Sequence, residues 1–340
     1  MQLRSNSSAC RIWGEENVHL STFNFQNLTS PVPTTRRQFL AATTVLAAAP
    51  ALAATSPSSL PIIDTHTHFY DPVRPGGVPW PGKGDALLHR TTLPADYRAQ
   101  SVPQPVTGTV VVEASPLVED NQWILDLAAK DKFIVGFVGN LKPGEDAFAG
   151  HLKRFAANPT YRGIRVNEGA LRTGLGNAAF VADIKRLADA DLELDVNGGP
   201  TLLPEVARLA KELPTLRIVI NHLANTRIDG KNVSATWRAD LEAAAKSPRV
   251  FLKVSALVEG TGKNDGSAPR DVEFYRPWLD IAWHAFGSDR LIYGSDWPVS
   301  ARFASLATVQ GIVHDYFAAR GREALEKFFA KNAQAAYRWR

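Results

Sequence analysis

Eight short apolar runs follow one another along the chain from residue 62, and stretches with helical spacing of apolar residues lie between them. Most of these runs are continuous rather than alternating, which is typical of parallel strands covered on both faces. Apolar residues recur at three- and four-residue spacing over 121–131, 178–191, 203–213 and 237–245. Eight β–α units within residues 61–340 fit one closed barrel. We therefore predict a single (β/α)8 (TIM) barrel of the α/β class, with strands over 62–64, 108–112, 133–138, 163–166, 192–196, 217–220, 250–254 and 290–293.

Three polar residues stand just after the first and the last of these runs. His66 and His68 are two positions apart, so their side chains point the same way in an extended chain. The first and last strands of a closed barrel are neighbours, and Asp296 then reaches the same place. Active sites of such barrels lie at the carboxyl ends of the strands. A histidine pair that faces a carboxylate is suited to activating water, with or without a metal ion.

Other polar residues end the remaining runs, and they are Glu113, Asn140, Arg165, Asn167, Asp195, Asn197, His222, Lys253 and Ser255. Arg165 and Lys253 lie inside apolar runs, where an unpaired charge is costly. Two interpretations remain open for both cations. They form ion pairs with Glu113 or Asp195 inside the barrel, or they bind a substrate carboxylate and stabilise an oxyanion.

The segment 71–100 contains several Pro and Gly residues and is predicted to be a loop over the barrel mouth, not a second domain. Tyr70, Trp80 and Trp297 are placed to pack on a sugar or aromatic ring of a substrate. Aromatic residues at a barrel mouth also serve as lid packing, and the sequence does not separate the two roles.

Composition excludes several classes of function. The net charge is +4, of which residues 1–53 carry +2 (four Arg less two Glu), and no basic cluster with interleaved aromatic residues indicates nucleic-acid binding. Cys10 is the only cysteine. The chain after it therefore has no disulfide, no thiolate metal ligand and no cysteine nucleophile. The oligomeric state is not predictable from these features.

Residues 1–53 have the features of an export leader. The run T-T-R-R-Q-F-L at 34–40 resembles a twin-arginine signal, and an alanine-rich apolar stretch follows it up to Ala53. That stretch is shorter than the roughly 20 apolar residues of a stable membrane span. We expect the twin-arginine export machinery to carry the folded protein to the periplasm, with cleavage after Ala53 and a connector over 54–60. Residues 1–31 are unlike a signal's charged start, so translation from Val32 is a further hypothesis.

Five motifs are distributed over the whole barrel, and they are D-T-H-T-H-F-Y-D at 64–71, R-G-I-R-V-N at 162–167, I-N-H-L-A at 220–224, L-K-V-S-A-L at 252–257 and Y-G-S-D-W-P-V at 293–299. Together they resemble the amidohydrolase superfamily. The resemblance is closest to the branch of sugar lactonases and 2-pyrone-4,6-dicarboxylate lactonase. The resemblance implies that Asp296 is the general base and that His222 polarises the scissile carbonyl. It also implies that His66 and His68 bind a metal ion or donate to the substrate.

Two departures from the superfamily bear on the cofactor. Dinuclear members carry a bridging Lys or Glu on the fourth strand and a His on the fifth. Here the fourth offers Arg165 and Asn167, and the fifth offers Asp195 and Asn197. None of the four is the expected metal ligand, and Arg165, Asn167 and Asp195 are predicted to bind substrate, with an internal ion pair as the alternative for Arg165 and Asp195. One Zn²⁺ on His66, His68 and Asp296 remains compatible, and so does catalysis without a metal, which the lactonase branch allows.

The second departure lies beside His222. Lactonases carry an aspartate before this histidine, whereas this chain has Asn221, so His222 has no adjacent carboxylate to set its tautomer.

From these residues we predict a periplasmic hydrolase that opens a lactone of a sugar acid or related carboxylic acid. The alternatives are a mononuclear zinc-dependent amidohydrolase or non-oxidative decarboxylase of the same superfamily, and a barrel that binds a ligand without catalysis.

Overall fold

The computed structural model describes residues 60–339. Eight parallel strands form one sheet in chain order, so each strand pairs with the next along the sequence. This is the (β/α)8 arrangement that the apolar runs predict. The strands are β1 Ile63–Thr67, β2 Gly108–Val112, β3 Ile134–Gly139, β4 Tyr161–Asn167, β5 Glu193–Asn197, β6 Arg217–Ile220, β7 Val250–Val254 and β8 Leu291–Tyr293.

Helices connect the strands and cover the outside of the sheet. They are α1 Pro94–Arg98, α2 Asp120–Lys130, α3 Phe148–Ala156, α4 Glu168–Gly174, α5 Ala178–Asp189, α6 Leu203–Glu212, α7 Ala235–Ala244, α8 Val272–Phe286, α9 Leu306–Ala318, α10 Arg322–Glu326 and α11 Asn332–Tyr337. Four of them, α2, α5, α6 and α7, lie where helical spacing predicts them, within two residues at each end. No helix in 60–339 is long and apolar enough to cross a bilayer.

The barrel closes between its first and last strands at the residues of the predicted site. The Asp296 amide donates to the His66 carbonyl at 2.9 Å, and the His68 amide donates to the Trp297 carbonyl at 3.0 Å. The first and last strands, β1 and β8, are therefore joined just beyond Tyr293. As a consequence, the histidine motif at 66–68 and the aspartate motif at 296–297 meet at one point of the barrel rim.

The first strand extends further than its apolar run. The run predicts 62–64, whereas β1 continues to Thr67, because Thr67 pairs with Val111 of β2. Thr67 and Thr109 also share a hydrogen bond at 2.8 Å. Asp64, Thr65, His66 and Thr67 of this motif are thus part of the strand itself, whose pairing register shifts between Asp64 and Thr67.

The C-terminal helix closes the opposite end of the barrel. Ala333, Ala336 and Tyr337 of α11 pack against residues that line the barrel interior, among them Val110 and Ile292. Residues 1–59 lie outside the described part of the chain. The predicted leader, cleavage point and connector therefore remain predictions.

Candidate active site

Three histidines surround one carboxylate oxygen at the carboxyl ends of the strands. The distance to Asp296 Oδ1 is 3.3 Å from His68 Nε2, 3.5 Å from His66 Nε2 and 3.9 Å from His222 Nε2. The rings of His66 and His222 lie with their centroids 4.3 Å apart. All four side chains are buried. The structure thus brings together the four residues that the sequence assigns to catalysis.

The backbone around this cluster is held in unusual geometry. Asp296 has a φ of 58° and His222 a φ of 57°, a left-handed conformation that non-glycine residues rarely adopt. Gly294 allows the close approach of the chain, because a Cβ there would lie 2.9 Å from His66 Cβ. Such conformations each cost on the order of 1–3 kcal/mol and are concentrated at functional sites.

Asp64 holds together the two chain segments that close the barrel, the end of β1 and the residues after β8. Its Oδ1 accepts from the Ser295 amide at 2.8 Å and from the His66 amide at 3.1 Å, and its Oδ2 accepts from the Tyr97 hydroxyl at 2.7 Å. No role for Asp64 was predicted from the sequence. Its contacts depend on the register shift of β1 between Asp64 and Thr67, which the apolar pattern does not show.

Each histidine is oriented by a different partner at Nδ1. His68 Nδ1 contacts the Val112 carbonyl at 3.0 Å and must donate to it, since a carbonyl only accepts. His66 Nδ1 lies 3.3 Å from Lys253 Nζ. A lysine ammonium only donates, so this contact favours the tautomer with its proton on His66 Nε2. His222 Nδ1 lies 2.9 Å from Ser255 Oγ, a hydroxyl that takes the place of the missing adjacent carboxylate.

Burial and local charge shift the pKa values of the cluster. Burial lowers the pKa of His222 to about 4, against the attraction of Asp296. Burial also lowers the pKa of His66 well below its ordinary value, and the charge of Lys253 adds to this effect. Burial alone would raise the pKa of Asp296, but His222 and the hydrogen bond from His68 outweigh it and lower the pKa below its ordinary value. At neutral pH, Asp296 is therefore a carboxylate beside two uncharged rings.

The donor set fits one divalent ion. One ligand atom each from His66, His222 and Asp296 lie within 4.8 Å of one another, and His66 Nε2 is buried with no hydrogen-bond partner among the described residues. Imidazole nitrogen and carboxylate oxygen are ligands that zinc takes. This set has His222 where the sequence analysis placed His68. Lys253 is an unusual neighbour for a ligand, because ligating histidines normally donate from the other nitrogen to an acceptor.

Lys253 and Asp195 form an ion pair beneath the cluster. The distance from Lys253 Nζ to Asp195 Oδ2 is 2.6 Å, and both side chains are 0% exposed. Tyr337 and Asn221 donate to the same carboxylate at 3.0 and 2.9 Å. Direct contact with substrate, one of the two interpretations of these residues, does not fit this placement. The pair is sealed inside the barrel, and it contacts His66 from below through Lys253 Nζ.

Arg165 is paired as well, but it faces the cavity. Its Nη2 lies 2.8 Å from Glu113 Oε1, and the two side chains keep 16% and 18% of their surface exposed. Arg165 also donates to the Glu113 carbonyl at 2.9 Å. The ion-pair interpretation of Arg165 is therefore confirmed, and substrate binding by its exposed surface stays a prediction.

A cavity of about 740 Å³ opens beside the cluster. The cavity is lined by, among others, His68, Trp80, Glu113, Asn140, Lys142, Arg165, Asn167, Asn177 and Asn197. The ring of Trp80 lies edge-on to His68 with centroids 5.8 Å apart. Trp80 and Asn167 thus line the cavity, as the predicted substrate-binding roles require.

Tyr70 and Trp297 differ from that prediction. Trp297 is buried and packs edge-on to Tyr97 at 5.4 Å, on the side of the chain opposite to Asp296. Tyr70 is also buried, and its hydroxyl donates to the Leu88 carbonyl at 3.0 Å. Neither residue lines the large cavity. The ring of Tyr70 instead packs edge-on to Trp80 with centroids 5.3 Å apart, so Tyr70 supports the loop residue that lines the cavity.

Comparison with known proteins agrees with the geometry. The family described as Amidohydrolase matches residues 63–339, so the chain belongs to that family. An L-fucono-1,5-lactonase of Burkholderia ambifaria is 30% identical over 240 residues, which cover 70% of this chain and 80% of the relative. A second L-fucono-1,5-lactonase, of Burkholderia multivorans, is 29% identical over 270 residues, or 76% of this chain and 89% of that protein.

A solved structure adds a comparison of the fold. An amidohydrolase from Burkholderia multivorans with bound zinc matches with a TM-score of 0.70 at 26% identity. The match covers 82% of this chain and 100% of that one. The resemblance that the five motifs predict is confirmed by both kinds of comparison.

Proposed function

We propose that this protein hydrolyses lactones, the cyclic esters of sugar acids. The observation that carries the proposal is the convergence of three histidine Nε2 atoms on one carboxylate oxygen, within 3.9 Å, beside a cavity large enough for a small ligand. Similarity to two L-fucono-1,5-lactonases supports the choice of cyclic esters.

In the proposed reaction Asp296 is the general base. Its carboxylate takes a proton from a water molecule, and the resulting hydroxide attacks the lactone carbonyl carbon. The C–O bond of the ring then breaks, and Asp296 returns the proton to the departing ring oxygen. One water is consumed, and the product is the open hydroxy acid.

The histidines stabilise the charge that develops on the carbonyl oxygen. His66 is the best defined donor, because Lys253 holds its Nδ1 as an acceptor and leaves the proton on Nε2. His222 is oriented by Ser255, whereas His68 donates from Nε2 only as the doubly protonated ring, because its Nδ1 already donates to Val112. Such fixed donors stabilise an oxyanion without the cost of reorganisation.

A divalent ion such as zinc would be held by His66, His222 and Asp296, and it would supply Lewis-acid polarisation of the carbonyl. The bound zinc of the related amidohydrolase structure supports this variant of the site. The same donor set is the observation that favours a zinc-dependent amidohydrolase as the second candidate.

The test is hydrolysis of a panel of sugar 1,5- and 1,4-lactones by the purified full chain, with and without a chelator. We expect turnover of at least one sugar lactone. Loss on chelation with recovery on zinc addition would assign the three ligands to a metal, and unchanged turnover would assign them to hydrogen bonding. Turnover of amides or carboxylated aromatics with none of any lactone would contradict the proposal and favour the second candidate.

We also propose that the protein acts in the periplasm after twin-arginine export. The paired arginines Arg36 and Arg37 before an alanine-rich stretch support this location. The expected mature N-terminus is Ala54, and N-terminal sequencing of periplasmic protein measures it directly. Replacement of Arg36 and Arg37 by lysine should leave the protein in the cytoplasm, and periplasmic recovery of that variant would contradict the route.

A further inference from the structure

The cavity beside the histidine cluster is larger than one sugar lactone requires. It extends from His68 and Trp80 at one end to Asn177 and Phe180 at the other, with a volume of about 740 Å³. At ~30 Å³ per water-sized group this space holds roughly 25 non-hydrogen atoms, about twice the number in a six-carbon aldonolactone. A substrate that consisted of the reacting ring alone would leave the far end filled with water.

Two asparagine amides in the far part of the cavity have their orientation fixed by helix caps. Asn167 Oδ1 accepts from the Ala170 amide at 2.8 Å, and Asn177 Oδ1 accepts from the Ala179 amide at 2.9 Å. Only the oxygen of a side-chain amide accepts, so these contacts exclude the flipped orientation. Each Nδ2 group is left as a donor, and no described residue accepts from it.

Two further amides on the cavity wall are fixed in the same manner. Asn197 Oδ1 accepts from Asn225 Nδ2 at 3.0 Å, and the Gly198 carbonyl holds that Asn225 amide in place. Asn140 has the opposite orientation, because its Nδ2 donates to the Ser115 carbonyl at 3.1 Å. The wall therefore offers the Nδ2 donors of Asn197 and the two capping residues, and one oxygen acceptor from Asn140.

The two cations of the lining each lie beside a carboxylate, although Arg165 keeps part of its surface open to the cavity. Arg165 pairs with Glu113 at 2.8 Å, and Lys142 lies 3.6 Å from Glu145. The groups without partners are thus neutral amides. Neutral donors and acceptors suit the hydroxyl and ether oxygens of a sugar better than they suit a carboxylate or phosphate, which favours free guanidinium or ammonium groups.

Resting on the proposed lactone hydrolysis, we propose that the far end of the cavity is a subsite for a second, neutral sugar residue. The reacting lactone ring lies against His68 and Trp80, and the attached sugar is held by the amides of Asn167, Asn177 and Asn197. The preferred substrate is then a disaccharide aldonolactone, and the opened product carries its glycosidic bond intact.

The direct test compares kcat/KM of the full chain for glucono-1,5-lactone with that for cellobiono-1,5-lactone and maltobiono-1,5-lactone. We expect at least one disaccharide lactone to be preferred by about tenfold or more, mainly through KM, which is the effect of one or two added neutral hydrogen bonds. Two disaccharide linkages are included because they direct the second ring along different paths.

Substitutions that keep the helix caps assign the preference to the amides. Asn177→Ser retains an oxygen for the Ala179 amide but withdraws the Nδ2 donor. We expect about a threefold loss for the preferred disaccharide lactone and none for glucono-1,5-lactone. The double variant with Asn167→Ser should remove most of the preference. Asn158→Ser is the matched control, since Asn158 caps the Thr160 amide at 2.9 Å ahead of β4, at the opposite end of the barrel.

Equal kcat/KM for single and double sugars, or a preference that survives the double variant, would overturn the subsite and leave lactone hydrolysis intact. Inactivity of the wild type on every lactone would instead contradict the proposed function. The subsite is then decided by calorimetric binding to the Asp296→Asn protein. Tighter binding of a disaccharide lactone supports it, and equal or absent binding overturns it.

Discussion

The barrel contains two cation–carboxylate pairs that differ in their access to the cavity. Lys253 and Asp195 are sealed beneath His66 with no exposed surface, whereas Arg165 and Glu113 lie at the cavity wall and keep 16% and 18% of theirs. Arg165 and Asp195 are even paired in register between β4 and β5. Nevertheless Arg165 forms its ion pair with Glu113, and Asp195 forms its ion pair with Lys253 across the barrel.

Two charges in similar apolar runs can therefore serve different functions. A fully buried pair contributes mainly through what it positions, because the loss of either partner leaves an uncompensated charge. A pair at a cavity wall is solvated on one side, so its cation remains available to a ligand. The comparison predicts that the lower pair controls stability and kcat, and that the upper pair controls KM.

The largest effect is expected from Asp195→Asn. This change leaves the ammonium of Lys253 buried without its partner, and such losses cost about 3–5 kcal/mol of the free energy of unfolding. Urea unfolding followed by circular dichroism measures it. Asp126→Asn, at an exposed position of α2, is the control and should change stability by less than about 0.5 kcal/mol. A loss below ~1 kcal/mol in Asp195→Asn would contradict the assigned role of the lower pair in stability.

The next effect is on turnover in Lys253→Met. Methionine fills a similar volume but gives His66 Nδ1 no donor, so the ring is free to adopt the other tautomer. We expect kcat to fall about 10–100-fold with KM nearly unchanged, because outer partners of site histidines contribute that much. Nitrogen NMR of His66 reports the tautomer directly. An unchanged tautomer together with unchanged kcat would remove Lys253 from the account.

A smaller effect is expected from Arg165→Gln. Water in the cavity can solvate the remaining Glu113 carboxylate, so the loss of stability should stay near 1–2 kcal/mol. Because Arg165 faces the cavity, we expect KM for the lactone to rise about tenfold with little change in kcat. Arg208→Gln, which breaks an exposed pair with Glu212 on α6, is the control. A fall in kcat without a change in KM would reverse the assigned roles of the two pairs.

Much of the fold and the catalytic cluster was predictable from residue order alone. Three strands, β2, β6 and β7, have the bounds that their apolar runs predict. Neighbouring first and last strands in a closed barrel were enough to bring Asp296 to His66 and His68. These features depend on periodicity and topology, which a sequence displays directly.

Partners across the barrel interior were not predictable. The sequence offered Glu113 and Asp195 to both Arg165 and Lys253, and the choice depends on side-chain reach in three dimensions. Trp297 was misplaced because β8 ends at Tyr293 and Asp296 has a left-handed φ of 58°, so strand alternation does not give its direction. Tyr70 was misplaced because β1 ends at Thr67, after which strand alternation no longer applies.

The central claim is that Asp296 is the base that activates water for lactone opening. Its most direct test is kcat of Asp296→Asn on the best lactone substrate, beside lactone binding to the same protein by calorimetry. The account predicts a loss of kcat of about 10²–10⁴-fold with binding retained, because the amide cannot accept the proton. A variant that keeps kcat within tenfold of the wild type would contradict the claim.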